Sequence, residues 1–191
     1  WFKEAKSVDL DQELELLAIK RGIEGIHCID ESAYISLNVS AEIILSGLLS
    51  DIFTDEIAPR IVLEVTEHSK VPDYELFRHA LCKLREKGVR LAVDDAGAGF
   101  SSFQHILELG AEIIKLDMSL IKDLDKDPAR SALTSALISF SKDTNTMVIA
   151  EGVETQEEYN ELLRIGVGNI QGYYVGYPMP VEQVILYSPS F

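Results

Sequence analysis

Little cysteine, few basic residues and no long apolar run mark this sequence, and each shortage excludes a class of protein. The two cysteines, Cys28 and Cys82, stand far apart with no CxxC spacing. Neither a disulfide framework nor a thiolate zinc site is therefore expected, and both read as small buried hydrophobes. The four histidines, His27, His68, His79 and His105, share no ligand spacing and read as surface or satisfied-core residues. Lys and Arg number 17 against 32 Asp and Glu, a net charge of −15. Such a surface cannot grip duplex nucleic acid, which needs clustered cations to displace phosphate counterions. No apolar stretch approaches the roughly 20 residues of a membrane helix, and no charged-then-apolar leader opens the chain, so the expectation is a cytoplasmic protein without a membrane segment. What remains, 191 residues with 47% hydrophobic and 26% charged, describes one ordinary globular domain. The chain opens at Trp1 without an initiator Met and reads as an excerpt of a longer protein.

Helical periodicity predicts helices over Leu10–Arg21, Ala41–Phe53, Asp73–Lys87, Phe103–Leu109, Ala129–Thr144 and Gln156–Ile165, and a short one from Val181. Alternating or β-branched stretches predict strands at Ala33–Val39, Ile61–Val65, Arg90–Asp95, Ile113–Leu116, Met147–Ala150 and Asn169–Gln171. Strands alternating with helices imply parallel pairing through right-handed crossovers. An open doubly wound sheet and a (β/α)8 barrel lacking its first units both fit. The barrel is preferred because an open sheet feeds its ligand from two or three strands, whereas here all six end in polar side chains. Those side chains are Asn38, Glu64 with Glu67, Asp94 with Asp95, Lys115 with Asp117, Glu151 with Glu154, and Gln171. In such a fold they gather on one rim.

Asp94-Asp95 is the sharpest local signal. Successive strand residues point to opposite faces, so one carboxylate is expected to face the pocket while its neighbour reaches over the loop. Two adjacent carboxylates repel unless a cation lies between them, although a turn-capping Asp is the plainer alternative. Glu64 is the stronger ligand candidate of its pair, and Glu67 reads as loop support or as an acid at a helix start. Asn38 offers a neutral carbonyl oxygen, and Lys115, inside the apolar run IIKLD, must point into a polar pocket, with Asp117 as a candidate partner. Glu151 and Glu154 add a further ligand or base. Oxygen-only donors select Mg2+, Mn2+ or Ca2+. No nucleotide-cofactor cradle follows a first strand, and Gly97-Ala98-Gly99 reads as a tight turn.

These residues lie in NVS at Asn38, EVTE at Glu64–Glu67, DDAGAGFSS at Asp94–Ser102, IKLD at Ile114–Asp117, AEGVET at Ala150–Thr155 and QGY at Gln171–Tyr173. In that order they resemble the motifs of EAL domains, the bacterial cyclic di-GMP phosphodiesterases, over nearly the whole chain. The resemblance implies α/β architecture, a modified (β/α)8 TIM-type barrel, here a single domain over residues 1–191 truncated at its N-terminus. It implies that Asn38, Glu64 and Asp94 bind one Mg2+ or Mn2+ and that Asp94, Asp95 and Glu151 bind a second, with Ca2+ a candidate inhibitor. Lys115 would polarise the attacking water, with Glu151 as its companion in the chemistry. Glu67 would hold the Asp95–Ser102 loop, near which a homodimer would form, and Asp117, Glu154 and Gln171 would support the loops or touch substrate. The product would be the linear dinucleotide pGpG, and sensory or GGDEF domains would accompany the domain in the parent chain.

Two departures from the family pattern stand out. The Glu-Ala-Leu signature is absent, so this chain alone is expected to turn over poorly or not at all, and the loop reads DDAGAGF where DDFGTGY is the common form. A catalytically silent receptor or protein-interaction module is the alternative function, and a sugar-phosphate or enolase-like barrel is a third.

Overall fold

The computed structural model describes residues 1–66, 69, 71–97 and 102–184, with the backbone alone for residues 2, 3 and 102–104. The described residues cluster into two compact units. One comprises Trp1–Val65, Ser69–Arg90 and the segment from Pro180; the other comprises Leu91–Met179 with Thr66.

The first unit holds helices α1 (Phe2–Lys6) and α2 (Asp11–Ile23), strand β1 (Ile35–Asn38), helices α3 (Ala41–Ser46) and α4 (Leu49–Ile52), strand β2 (Ile61–Thr66) and helix α5 (Tyr74–Glu86). Strands β1 and β2 pair in parallel, with Leu37 opposite Leu63 and Asn38 opposite Glu64. Ile61, Leu63, Val65, Phe77 and Leu81 are wholly buried, so β2 is packed on both faces as parallel strands require. The single helix expected over Ala41–Phe53 is two. Gly47 adopts φ 76°, a left-handed conformation that ends α3, and the chain restarts at Leu49. Helix α5 starts where Asp73 Oδ1 accepts the N–H groups of Glu75 and Leu76 at 2.9 and 3.0 Å, an N-cap that supplies two otherwise orphaned donors. Cys28 and Cys82 are both exposed, contrary to the buried role expected of them. Cys82 directly follows Leu81 on α5, turned off the Phe77–Leu81–Leu84 stripe that faces the core.

The second unit holds strand β3 (Arg90–Ala96), helix α6 (Ser102–Leu109), strand β4 (Ile113–Leu116), helices α7 (Met118–Ile121) and α8 (Pro128–Asp143), strand β5 (Met147–Ala150), helix α9 (Gln156–Ile165) and strand β6 (Asn169–Ile170). A last helix, α10 (Val181–Val184), returns to the first unit. Strand β4 pairs in parallel with β3 on one side and β5 on the other, and β5 pairs with β6. Because the strands are parallel, their carboxyl ends lie together at one edge of this sheet. Every residue of β4 is buried, and Lys115 is among them. Helix α7 has no counterpart in the sequence reading. At four residues it is too short to display a period, and its start is fixed by the Asp117 side chain accepting Ser119 N–H at 2.8 Å.

Candidate active site

Asp94 and Asp95 owe their arrangement to a fault in the β-ladder. Val93 lies opposite Ile114 and Ala96 opposite Leu116, so two residues of β3 face the single residue Lys115. This is a β-bulge, and Asp95 takes the left-handed φ of 59° that the extra residue demands. The alternation expected to send the two carboxylates to opposite faces is therefore broken. Asp94, Asp95 and Glu151 instead each offer an oxygen within 4.8 Å of the others. A non-glycine residue at positive φ costs roughly 1 kcal/mol or more, and such strain collects at functional sites. The next residues lock the bulge in place. Ala96 carbonyl accepts Asp117 N–H at 3.1 Å, and Gly97, at φ 101°, has no room for a side chain because a Cβ there would meet Leu120 Cδ1 at 2.3 Å.

Lys115 supplies the only cation in this group of four. Its Nζ lies 3.0 Å from Asp94 Oδ1 and 2.8 Å from Glu151 Oε1. An ammonium in the middle of an apolar strand is thereby satisfied, as burial requires. The approach to Asp94 Oδ1 is an ion-pair distance without hydrogen-bond directionality, and this buried oxygen has no hydrogen-bond donor. Burial pushes the Glu151 carboxyl up to about 7; the Lys115 ammonium opposes the shift and the Asp94 carboxylate adds to it. Three neighbouring carboxylates, two of them paired with a single ammonium, leave negative charge uncompensated in a partly dry site. Hard divalent cations take such all-oxygen donor sets, and Asp94, Asp95 and Glu151 bring three carboxylate oxygens within 4.8 Å of one another, so the cluster fits Mg2+, Mn2+ or Ca2+. Asp117 caps α7, its side chain accepting Ser119 N–H.

Glu151 opens a loop held from two directions. Its own N–H donates to Leu116 carbonyl at 3.1 Å, while Val153 N–H donates to Gln171 carbonyl at 3.1 Å and Gln171 N–H to Ala150 carbonyl at 2.8 Å. At the far end of the loop, Glu158 accepts from Glu154 N–H at 3.0 Å, Thr155 N–H at 3.1 Å and, on the chain before α8, Asp123 N–H at 3.0 Å. Burial works against ionisation of Glu158, but these N–H groups hold its pKa below the usual carboxylate range. The sequence reading did not single out this residue. Its signal was present as the Thr155–Glu158 capping-box spacing, and the structure forms the box. Glu154 and Gln171 are exposed at this edge of the sheet.

In the first unit Asn38 and Glu64 end neighbouring strands as register partners, and Val39 N–H donates to Glu64 carbonyl at 2.9 Å. Glu64 is buried, with 6% of its surface exposed. Glu67, and Ala98–Ser101 within the Asp95–Ser102 loop, lie outside the described residues.

Comparison with known proteins follows the same lines. The EAL domain family profile matches residues 2–178. The chain is 35% identical over 125 residues to the bifunctional diguanylate cyclase/cyclic di-GMP phosphodiesterase MucR of Pseudomonas aeruginosa, covering 65% of this chain and 18% of that protein. It thus spans less than a fifth of the length of that curated relative. Among solved structures it resembles an EAL domain protein from Listeria monocytogenes, with TM-score 0.83, 25% identity and coverage of 96% of this chain and 75% of that one. It also resembles BlrP1 of Klebsiella pneumoniae in its manganese and cyclic di-GMP complex, with TM-score 0.77, 25% identity and coverage of 88% of this chain and 45% of that one. The α/β fold expected from strand–helix alternation is the one these structures share, the modified (β/α)8 type. Among the described residues no helix is long and apolar enough to cross a membrane.

Proposed function

The chain belongs to the EAL domain family, and from that premise we propose that it hydrolyses one phosphodiester of cyclic di-GMP to pGpG in a reaction that requires Mg2+ or Mn2+. The observation that carries this reading is the gathering of Asp94, Asp95 and Glu151 at the carboxyl ends of β3 and β5, with Lys115 of β4 paired to Asp94 and Glu151. Forming pGpG breaks one P–O3′ bond: water adds to phosphorus and the departing 3′ oxygen takes up a proton.

Asp94, Asp95 and Glu151 are the ligands of a divalent ion, and Asn38 and Glu64 keep the oxygen-ligand roles implied by the family resemblance, supported by their facing register. Ions bound there supply Lewis-acid polarisation of a phosphoryl oxygen and an acidified water. Lys115 holds the attacking water through its ammonium, whose position is fixed by two carboxylates rather than by solvent, and its charge offsets charge built up at phosphorus. Glu151 orients Lys115 through their 2.8 Å ion pair. Glu154, Gln171 and Asp117 border the site as loop or substrate contacts, and Glu67 is assigned to the Asp95–Ser102 loop, beside which a homodimer forms. The relative MucR, whose name couples a cyclase to a phosphodiesterase, favours a multidomain parent carrying GGDEF or sensory parts.

Incubation of the full-length parent protein with cyclic di-GMP and Mn2+ or Mg2+, followed by chromatography and mass spectrometry, tests the reading. Release of pGpG that a chelator stops is the expected result. Tight binding of cyclic di-GMP without turnover would make the protein a receptor, and neither binding nor turnover would reject the assignment.

A further inference from the structure

One groove of the first unit combines apolar walls with a basic edge, in a chain whose net charge is −15. It opens between α3 and α4 on one side and α5 on the other, and it encloses about 480 Å3. Ile44, Leu45 and Leu49 make one wall, and Leu76, Ala80 and Leu84 make the other. The last three recur every fourth residue of α5 and so share one stripe of that helix. Ile44, Leu49 and Leu84 are buried, whereas Leu76 keeps 62% of its surface exposed. His79 and Lys83, on the adjoining row of α5, also line the groove and are exposed. No acid is among the described residues that line it. Lys87, one turn beyond Lys83, is occupied with the Ser50 and Phe53 carbonyls at 2.7 and 3.1 Å, which leaves Lys83 as the ammonium at the groove.

An occupant must match both features, with an apolar body for the walls and an anion for Lys83. Size and surroundings decide what carries them. The volume is that of a small-molecule cleft, about 300–1,000 Å3, and such clefts pair apolar walls with a few polar groups. A docked protein would cover about 800 Å2 of this surface, yet between α3 and α5 the large apolar side chains left exposed are Leu48 and Leu76. An anionic bilayer is held by clusters of about four to eight basic residues, and a chain of charge −15 offers two here. A single amphiphile with one tail and one anionic head meets all of these conditions.

We propose that this groove binds a free medium-chain carboxylate of the fatty-acid class, its tail between the apolar walls and its head at Lys83, with the His79 ring able to donate a second hydrogen bond. Each methylene taken out of water is worth about a fourfold gain in affinity, whereas an exposed ion pair contributes little. The tail therefore sets the strength of binding and Lys83 selects the sign of the head. The groove lies in the first unit, while Asp94, Asp95 and Glu151 belong to the second. It shares no residue with the cation cluster, and the inference stands without the phosphodiesterase reading.

The test adds monomeric dodecanoate to the full-length parent protein and follows binding by calorimetry and through the methyl NMR resonances of Ile44, Leu49 and Leu84. Saturable binding that shifts all three is expected, with affinity falling about fourfold per methylene from dodecanoate to octanoate. Dodecyltrimethylammonium should bind about tenfold more weakly, and acetate should shift none of the three. Lys83→Glu, at an exposed position, should weaken dodecanoate about tenfold, and Ala80→Phe, which fills the groove, should weaken it further, with Mn2+ affinity unchanged in both. Absence of methyl shifts with dodecanoate, equal affinity for the two head groups, or wild-type affinity in Lys83→Glu overturns the proposal, whether or not Ala80→Phe folds. Capture by phosphatidylglycerol vesicles without dodecanoate binding would overturn it in favour of a bilayer, and the same methyl shifts produced by raising protein concentration alone would overturn it in favour of a second copy of the chain.

Discussion

The strand ends of the two units place polar groups by the same means and reach opposite electrostatic results. In the first unit, Asn38 and Glu64 sit opposite each other in an unbroken parallel register, and the acid's neighbour across the ladder is a neutral amide. In the second, a bulge sets Asp94 and Asp95 opposite the single ladder position of Lys115, and Glu151 joins their carboxylates in one group. Regular pairing thus presents one acid at a time, while the bulge and the left-handed Asp95 bring three acids together, two of them paired with one ammonium. The second arrangement leaves charge that calls for an added cation. The number of acids in a sequence therefore says less about ion binding than the ladder that carries them.

The largest effect that would break this contrast is the loss of a cluster acid. Asp94→Ala should abolish metal-dependent hydrolysis by the full-length parent protein, a fall of roughly a thousandfold or more in kcat/KM, with little change in thermal unfolding, whereas Asn38→Ala should cost about tenfold. Equal effects at the two positions would erase the distinction. Next in size, Lys115→Met should lower kcat by about a hundredfold while changing cyclic di-GMP affinity much less, as expected of a residue acting at the water. Parallel losses in kcat and binding would contradict that role.

Backbone substitutions sharpen the same comparison. Gly172→Ala forces a methyl against the Val153 backbone at 2.2 Å, while Gly47→Ala meets nothing within 4 Å and strains only its own φ of 76°. Urea unfolding should show a loss of about 2–3 kcal/mol for Gly172→Ala and about 1 kcal/mol for Gly47→Ala, with hydrolysis impaired only in the former. The smallest effect is electrostatic. The Glu151 pKa rises from 4.5 to about 7 on folding, so the folded chain binds the extra proton. The associated stability is complete below pH 4.5 and is lost as pH climbs through 7. Unfolding in chelator should show a decline of about 1 kcal/mol between pH 5 and 8, after allowance for solvent screening, and Mn2+ should reverse it. A decline that persists with Mn2+ would place the ion away from Glu151.

Much of this was legible in the sequence, and the omissions have physical causes. Helical period located α5, α8 and α9 to within a residue or two, and β-branched runs located β2, β4 and β5, because each carries a whole apolar face. The polar residue ending each strand was visible because it interrupts such a run. The bulge was not, since the alternation rule assumes an intact ladder and nothing local in RLAVDDA announces an extra residue. The break at Gly47 was hidden by an apolar period that continues across it in AEIILSGLLSDIF. The capping role of Asp117 at α7 had no sequence signal, because a four-residue helix shows no period.

The account turns on Asp94, Asp95 and Glu151 sharing a divalent ion, and Mn2+ titration followed by electron paramagnetic resonance tests it most directly. Saturable binding to the wild-type protein, lost in Asp94→Ala, Asp95→Ala and Glu151→Ala, is the predicted result. Mn2+ binding of undiminished affinity in all three variants, or none to the wild type, would contradict it.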